Sequence, residues 1–175
     1  MNRLLTCFLL AAVTLVTVVN VGFAQSGADA KARGRYDFYG KSAQRSMRSA
    51  RDSSRDYRQH VQTAPQKHID GDLAKDAADA VGTGISKAQK DVERMRKDVG
   101  DDKDALASLD LVGKKLAAAA KQHKEMEEHC CKSPVDAAGS MACCEQIDEA
   151  LGAAIDEHEK LMKKLGSTSA APAKK

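Results

Sequence analysis

Residues Leu106–Cys130 read LASLDLVGKKLAAAAKQHKEMEEHC. Within them Leu106, Leu109, Val112, Leu116, Ala119, His123, Met126 and Cys130 recur at steps of three and four. That is the period of one helix face turned toward packed neighbours. The stripe begins aliphatic and ends in imidazole, thioether and thiol. The same stretch therefore predicts a long amphipathic helix, about 102–131, and puts candidate ligands on its inward side.

Downstream, Ser133, Pro134 and Asp136 give an N-cap, an N1 proline and an acidic N3 for a further helix. Its stripe runs through Cys144, Ile147, Leu151, Ile155, His158, Met162 and Leu165, and Gly166 stops it. Gly139-Ser140 is a candidate interruption, with Ser140 as a second N-cap. Upstream, a helix from Ile69 or Asp70 to Asp98 carries Leu73, Ala77, Val81, Ile85, Ala88, Val92, Met95 and Val99. Gly82 and Gly84 inside it signal a close helix contact or a soft kink. Gly100 suits the C′ position, and Asp101 or Asp102 the next N-cap. The first such helix starts near Arg35 and carries Tyr36, Gly40, Ala43, Met47, Ala50, Ser54, Tyr57 and Val61 until Pro65 ends it.

Four amphipathic segments joined by short polar turns predict an all-α fold, an antiparallel up-down-up-down four-helix bundle over 35–166. The chain has no Trp, three Tyr and three Phe, so the core must come from Ala, Leu, Val, Ile and Met. Residues 25–34 read as a flexible lead-in and 167–175 as a disordered tail.

Before the bundle, Leu4–Val21 is almost wholly apolar, follows Arg3 and exits through Gly22-Phe23-Ala24. A charged start, an apolar run and small residues at the exit predict a signal peptide, residues 1–24, cleaved after Ala24. The expected location is then periplasmic or extracellular, with no membrane span after cleavage. A retained N-terminal membrane anchor is the alternative, since 18 residues approach a spanning length.

Export removes Cys7 and leaves Cys130, Cys131, Cys143 and Cys144, an even set that favours disulfides in an oxidising compartment. A staple between the third and fourth helices would need Cα atoms within about 7 Å. A straight fourth helix from Pro134 would carry Cys143 too far down, so the staple requires a bend at Gly139-Ser140. The competing chemistry is a soft or borderline metal, Cu or Zn, held by His123, Met126, His129, Cys130 and Cys144. Thiol redox chemistry is a third option, without a CxxC motif. In the up-down arrangement His60 and His68 join His123 and His129 at the cysteine end, whereas His158 is too distant. Taken singly, His60, His68 and His158 read as surface or boundary imidazoles.

Charge is unevenly spread. Residues 31–58 hold nine Lys or Arg against three Asp, and 133–166 hold three Lys against seven acids. First and fourth helices lie side by side in such a bundle, so the opposite charges can meet internally. The alternative is that Lys41, Arg45, Arg48, Arg51, Arg55 and Arg58 face an anionic surface. Export and a net charge of +3 disfavour nucleic acid as partner.

No CxxCH, Glu-x-x-His, HExxH, GxSxG or phosphate-cradling loop is present, and no acid and base pair stands out. The residues thus predict an exported, non-enzymatic bundle with a structural or interaction role toward an unknown protein or anionic surface. It would need no cofactor and be stapled by disulfides. A copper- or zinc-handling protein is the alternative.

Overall fold

The computed structural model describes residues 3–64 and 69–168, with side chains for 30–64 and 69–166. Four helices follow one another: α1 Arg3–Thr63, α2 Gly71–Asp98, α3 Lys103–Cys130 and α4 Ala137–Thr168. No strand occurs among the described residues. The expected signal peptide falls on Met1 and Asn2, which lie outside the described residues, and on residues of α1 whose side chains do. His68 and residues 169–175 of the expected tail also lie outside. Among the described residues no helix is long and apolar enough to cross a membrane.

Each helix packs on two others: α1 on α2 and α4, and α3 on α2 and α4. This is a four-helix bundle. Its core is aliphatic and thioether, as a chain without Trp requires, with Met47, Ile85, Met95, Leu109, Leu116, Met126, Ile147, Leu151 and Leu161 fully enclosed. The α1 stripe from Tyr36 to Val61 is buried at every expected position.

Side-chain oxygens start α2 and α3. Asp70 accepts from the Asp72 and Leu73 amides at 2.8 and 3.5 Å, and Asp102 from Asp104 and Ala105 at 3.1 and 3.0 Å. Gly100 takes φ +60°, a conformation that costs a residue without a Cβ nothing. At the start of α2 the inward residues are Ala74 and Ala78, and Leu73 is exposed. Stripes one residue apart fit the helical period almost equally well, and here the small side chains turn inward.

Gly84 decides between kink and close contact. A Cβ there would stand 2.7 Å from the Ala50 Cβ and 3.0 Å from the Ser46 carbonyl oxygen. The residue lets α1 and α2 touch, and α2 runs unbroken through it.

The start of α4 differs from expectation. Ser133-Pro134 is a cis peptide, and the helix begins at Ala137. Asp136 is the cap: its Oδ1 accepts the Gly139 amide at 3.0 Å and its carbonyl accepts the Ser140 amide at 3.0 Å. Ser140 is not a second cap, because its hydroxyl donates back to the Ala137 carbonyl at 3.1 Å inside a continuous helix.

Candidate thiol and thioether site

The bend that a disulfide staple required is therefore missing, and α4 carries Cys143 and Cys144 on a straight path. All four bundle cysteines are free thiols, and no pair lies at disulfide distance. The staple expected between α3 and α4 is not formed. Adjacent residues on a helix point about 100° apart, and the Cys130-Cys131 pair divides accordingly. Cys130 is buried and Cys131 exposed.

Cys130, Cys143 and Cys144 face the core together with Met126. The Cys144 thiol lies 3.9 Å from Met126 Sδ. Cys130 stands one turn beyond Met126 on α3 and donates to the Tyr57 hydroxyl at 3.6 Å. From α1, Ser54 donates to the Cys144 carbonyl at 3.2 Å. Three helices thus enclose two thiols and a thioether in the core, with Tyr57 and Ser54 as polar neighbours.

Electrostatics keep these thiols protonated. Burial pushes the Cys144 thiol up to about 11, with the charges of Cys130 and Cys143 adding to the effect and the Ser54 bond opposing it. Burial likewise raises Cys130 against the Tyr57 bond, and raises Cys143 alongside the charges of Glu125, Cys130 and Asp136. A thiolate here is costly unless a cation shares the pocket.

The histidines separate. His123 leaves the thiols and turns to α2, its Nε2 2.8 Å from the Ala78 carbonyl oxygen. His129 lies at the α3–α4 corner, with Nδ1 2.9 Å from Asp136 Oδ2. Lys132 Nζ reaches the same carboxylate oxygen at 3.1 Å. The Gly139 amide, Lys132 and His129 together hold the Asp136 carboxyl down to about 2. His60 is exposed, and His158, expected at a surface or boundary, is wholly buried with no partner for either ring nitrogen. Of the proposed ligand set, Met126, Cys130 and Cys144 share the buried core, Cys144 touching Met126, while His129 is tied to Asp136 at the α3–α4 corner and His123 turns to α2. Cys143 is a further thiol of this group, already visible in the sequence as one of the pair.

Among the described residues no three side chains drawn from His, Cys, Asp and Glu are gathered to hold a metal ion. A third donor is reached only by including the Met126 thioether, which a soft cation accepts and a hard one does not.

The basic residues of α1 mostly meet α4. Arg51 and Arg55 reach Asp148 Oδ1 at 2.7 and 2.6 Å, Arg48 reaches Glu159 at 2.8 Å and Arg58 reaches Glu145 at 3.6 Å. Lys41 pairs with Asp37 at 2.7 Å, and Arg45 donates to the Lys41 carbonyl at 3.2 Å.

Comparison with known proteins finds no matching family model, no matching curated protein and no matching solved structure.

Proposed function

We propose that the protein is an exported, non-enzymatic helical bundle, its helices alternating in direction, that binds a soft cation such as Cu(I) at Met126, Cys130 and Cys144. One observation carries this reading: a thiol and a thioether from different helices meet in the core, with a second thiol one turn away on the inward face. Thiolate and thioether select Cu(I) over harder ions. Zn(II), which favours four nitrogen or thiolate donors, is less well served. The alternation in direction is supported by contacts that pair low numbers with high ones, Arg35 with Asp98 and Ala50 with Gly84. The case for binding over catalysis rests on the thiols' partners. Cys130 bonds Tyr57 and Cys144 touches Met126, and neither partner is a base that would make a nucleophile.

The test uses the full chain in a Cys7→Ser background, reduced and kept free of oxygen. Cu(I) is titrated against a coloured Cu(I) chelator. One equivalent should be retained, with retention lost in Cys130→Ser and Cys144→Ser, weakened about tenfold in Met126→Leu and unchanged in Cys131→Ser. Retention lost equally in Cys131→Ser would point to an exposed adjacent pair instead and overturn the site. No retention of Cu(I) would leave a bundle with a structural or interaction role.

A further inference from the structure

Among the described residues, His129 is the imidazole next to Cys130 at the end of α3, and a single residue fixes it twice. The Asp136 amide donates to the His129 carbonyl at 3.1 Å, and the Asp136 carboxylate meets His129 Nδ1 at 2.9 Å. The ring lies over Gly139, where a Cβ would stand 2.3 Å from Nδ1 and 2.4 Å from Cε1. Carboxylate, backbone and missing side chain together hold one ring orientation.

The tautomer follows from the partners. A carboxylate only accepts, so the Nδ1 facing Asp136 carries the proton and the Nε2 lone pair is left available. Lys132 Nζ, 3.2 Å from Nδ1, is a donor and shares the carboxylate rather than the ring. Histidines that bind metals through one nitrogen commonly give the other N–H to a carboxylate in this way.

Position completes the case. His129 is half-buried, so solvent reaches the ring, whereas Cys143, Cys130, Cys144 and Met126 are buried. Cys143 lies one turn beyond Gly139 on α4, within electrostatic reach of both Asp136 and Cys130. Donors thus run inward from the half-buried imidazole to the Cys143 thiol and then to the buried thiols and thioether.

We infer that His129, positioned by Asp136, is the outer ligand that receives a soft cation from solution and passes it by way of Cys143 to Cys130, Cys144 and Met126. This rests on the core site proposed above. Ligand exchange of Cu(I) along the path needs no redox step: each new donor bond forms as an outer one breaks, Cys143 gives up its thiol proton as it takes the cation and regains one as the cation moves on, and the protons of Cys130 and Cys144 leave to solvent as those sulfurs bind.

The experiment follows the rate at which the full-length protein in the Cys7→Ser background takes Cu(I) from the coloured chelate, with the amount retained at equilibrium measured on the same samples. His129→Gln should load about tenfold more slowly with retention unchanged. Cys143→Ser should also slow loading. Asp136→Asn keeps an N-cap side chain and should fall between wild type and His129→Gln. In His129→Gly, added imidazole should restore the rate, which a merely structural role would not produce. Wild-type loading rates in both His129→Gln and Cys143→Ser would overturn the inference and leave the core site standing. A wild-type chain that retains no Cu(I) would overturn the core site itself.

Discussion

The His123 imidazole occupies the space a side chain at Gly82 would need. A Cβ there would stand 2.4 Å from the ring's Cε1, while Nε2 holds the Ala78 carbonyl oxygen at 2.8 Å. The interface between α2 and α3 is keyed by this pair, a polar ring set into a gap of helix backbone.

Alanine at two helical glycines should therefore act with opposite signs. Gly113 has open space around it, so Gly113→Ala should stabilise the bundle by about 0.5–1 kcal/mol through helix propensity. Gly82→Ala gains the same propensity but must displace His123, and should destabilise by about 1–2 kcal/mol net. Urea denaturation of both variants checks the contrast. Equal shifts in the same direction would refute the keying.

His158 should limit acid stability. Nothing of it is exposed, neither ring nitrogen has a partner, and burial pulls its pKa from 6.5 down to about 4, slightly offset by the Glu159 charge. In the folded chain the ring stays neutral while the unfolded chain protonates it. Stability is then lost as pH falls from about 6.5 to about 4, by roughly 3 kcal/mol in all. His158→Leu should raise stability at pH 7 by about 1–2 kcal/mol, since it removes two unsatisfied nitrogens, and should flatten the loss across that window. Melting temperatures between pH 4 and 7 for both chains test this.

Asp148 should be the strongest charged link between α1 and α4. Burial opposes its ionisation, yet hydrogen bonds from Arg55 and Arg51 outweigh that and hold the carboxyl below its usual value. Its contribution is present above an ordinary aspartate pKa and fades as pH drops through the folded value. Asp148→Asn should cost about 1 kcal/mol near neutral pH, discounted because Arg55 is half exposed. In a double-mutant cycle its coupling to Arg51→Gln should exceed its coupling to Arg58→Gln. Raised salt should shrink the effect. With four of the α1 arginines occupied by α4 acids, retention on anionic vesicles should be weak and lost at moderate salt.

Thiol reactivity should be graded by burial. Alkylation of the native reduced chain in the Cys7→Ser background, mapped by mass, should mark Cys131 first, with Cys130, Cys143 and Cys144 slower by about tenfold or more. Denaturant should expose all four. Uniform labelling of the native chain would contradict the enclosed pocket.

Much of this was legible in sequence because helix faces are written in spacing. The α1 stripe from Tyr36 to Val61 reads directly as core, and Met126, Cys130 and Cys144 fall on inward stripes that meet. Opposite charge on α1 and α4 likewise announced that the two helices could pair, though not that Arg51 and Arg55 would share Asp148. What spacing cannot encode is rotation about a side chain's own bonds. His123 shares the stripe with Met126 yet turns to the Ala78 carbonyl because Gly82 leaves room. The cap of α4 was misplaced for a related reason. Ser133, Pro134 and Asp136 each suit a helix start, and the tie between Asp136 and His129 across the turn selects the last of them. His158 shows a different limit: its stripe position is inward, but an imidazole without partners contradicts the usual satisfaction of buried polar groups.

The contact of Gly84 with Ala50 leaves α1 and α2 no rotamers with which to absorb crowding. Alanine and glycine have no side-chain freedom to lose or exchange. Added bulk at this contact must move a helix as a rod, and when that helix is α1 it carries Ser54 and Tyr57, which touch Cys144 and Cys130. The thiol pocket is thereby mechanically coupled to a contact of two small residues that it never touches.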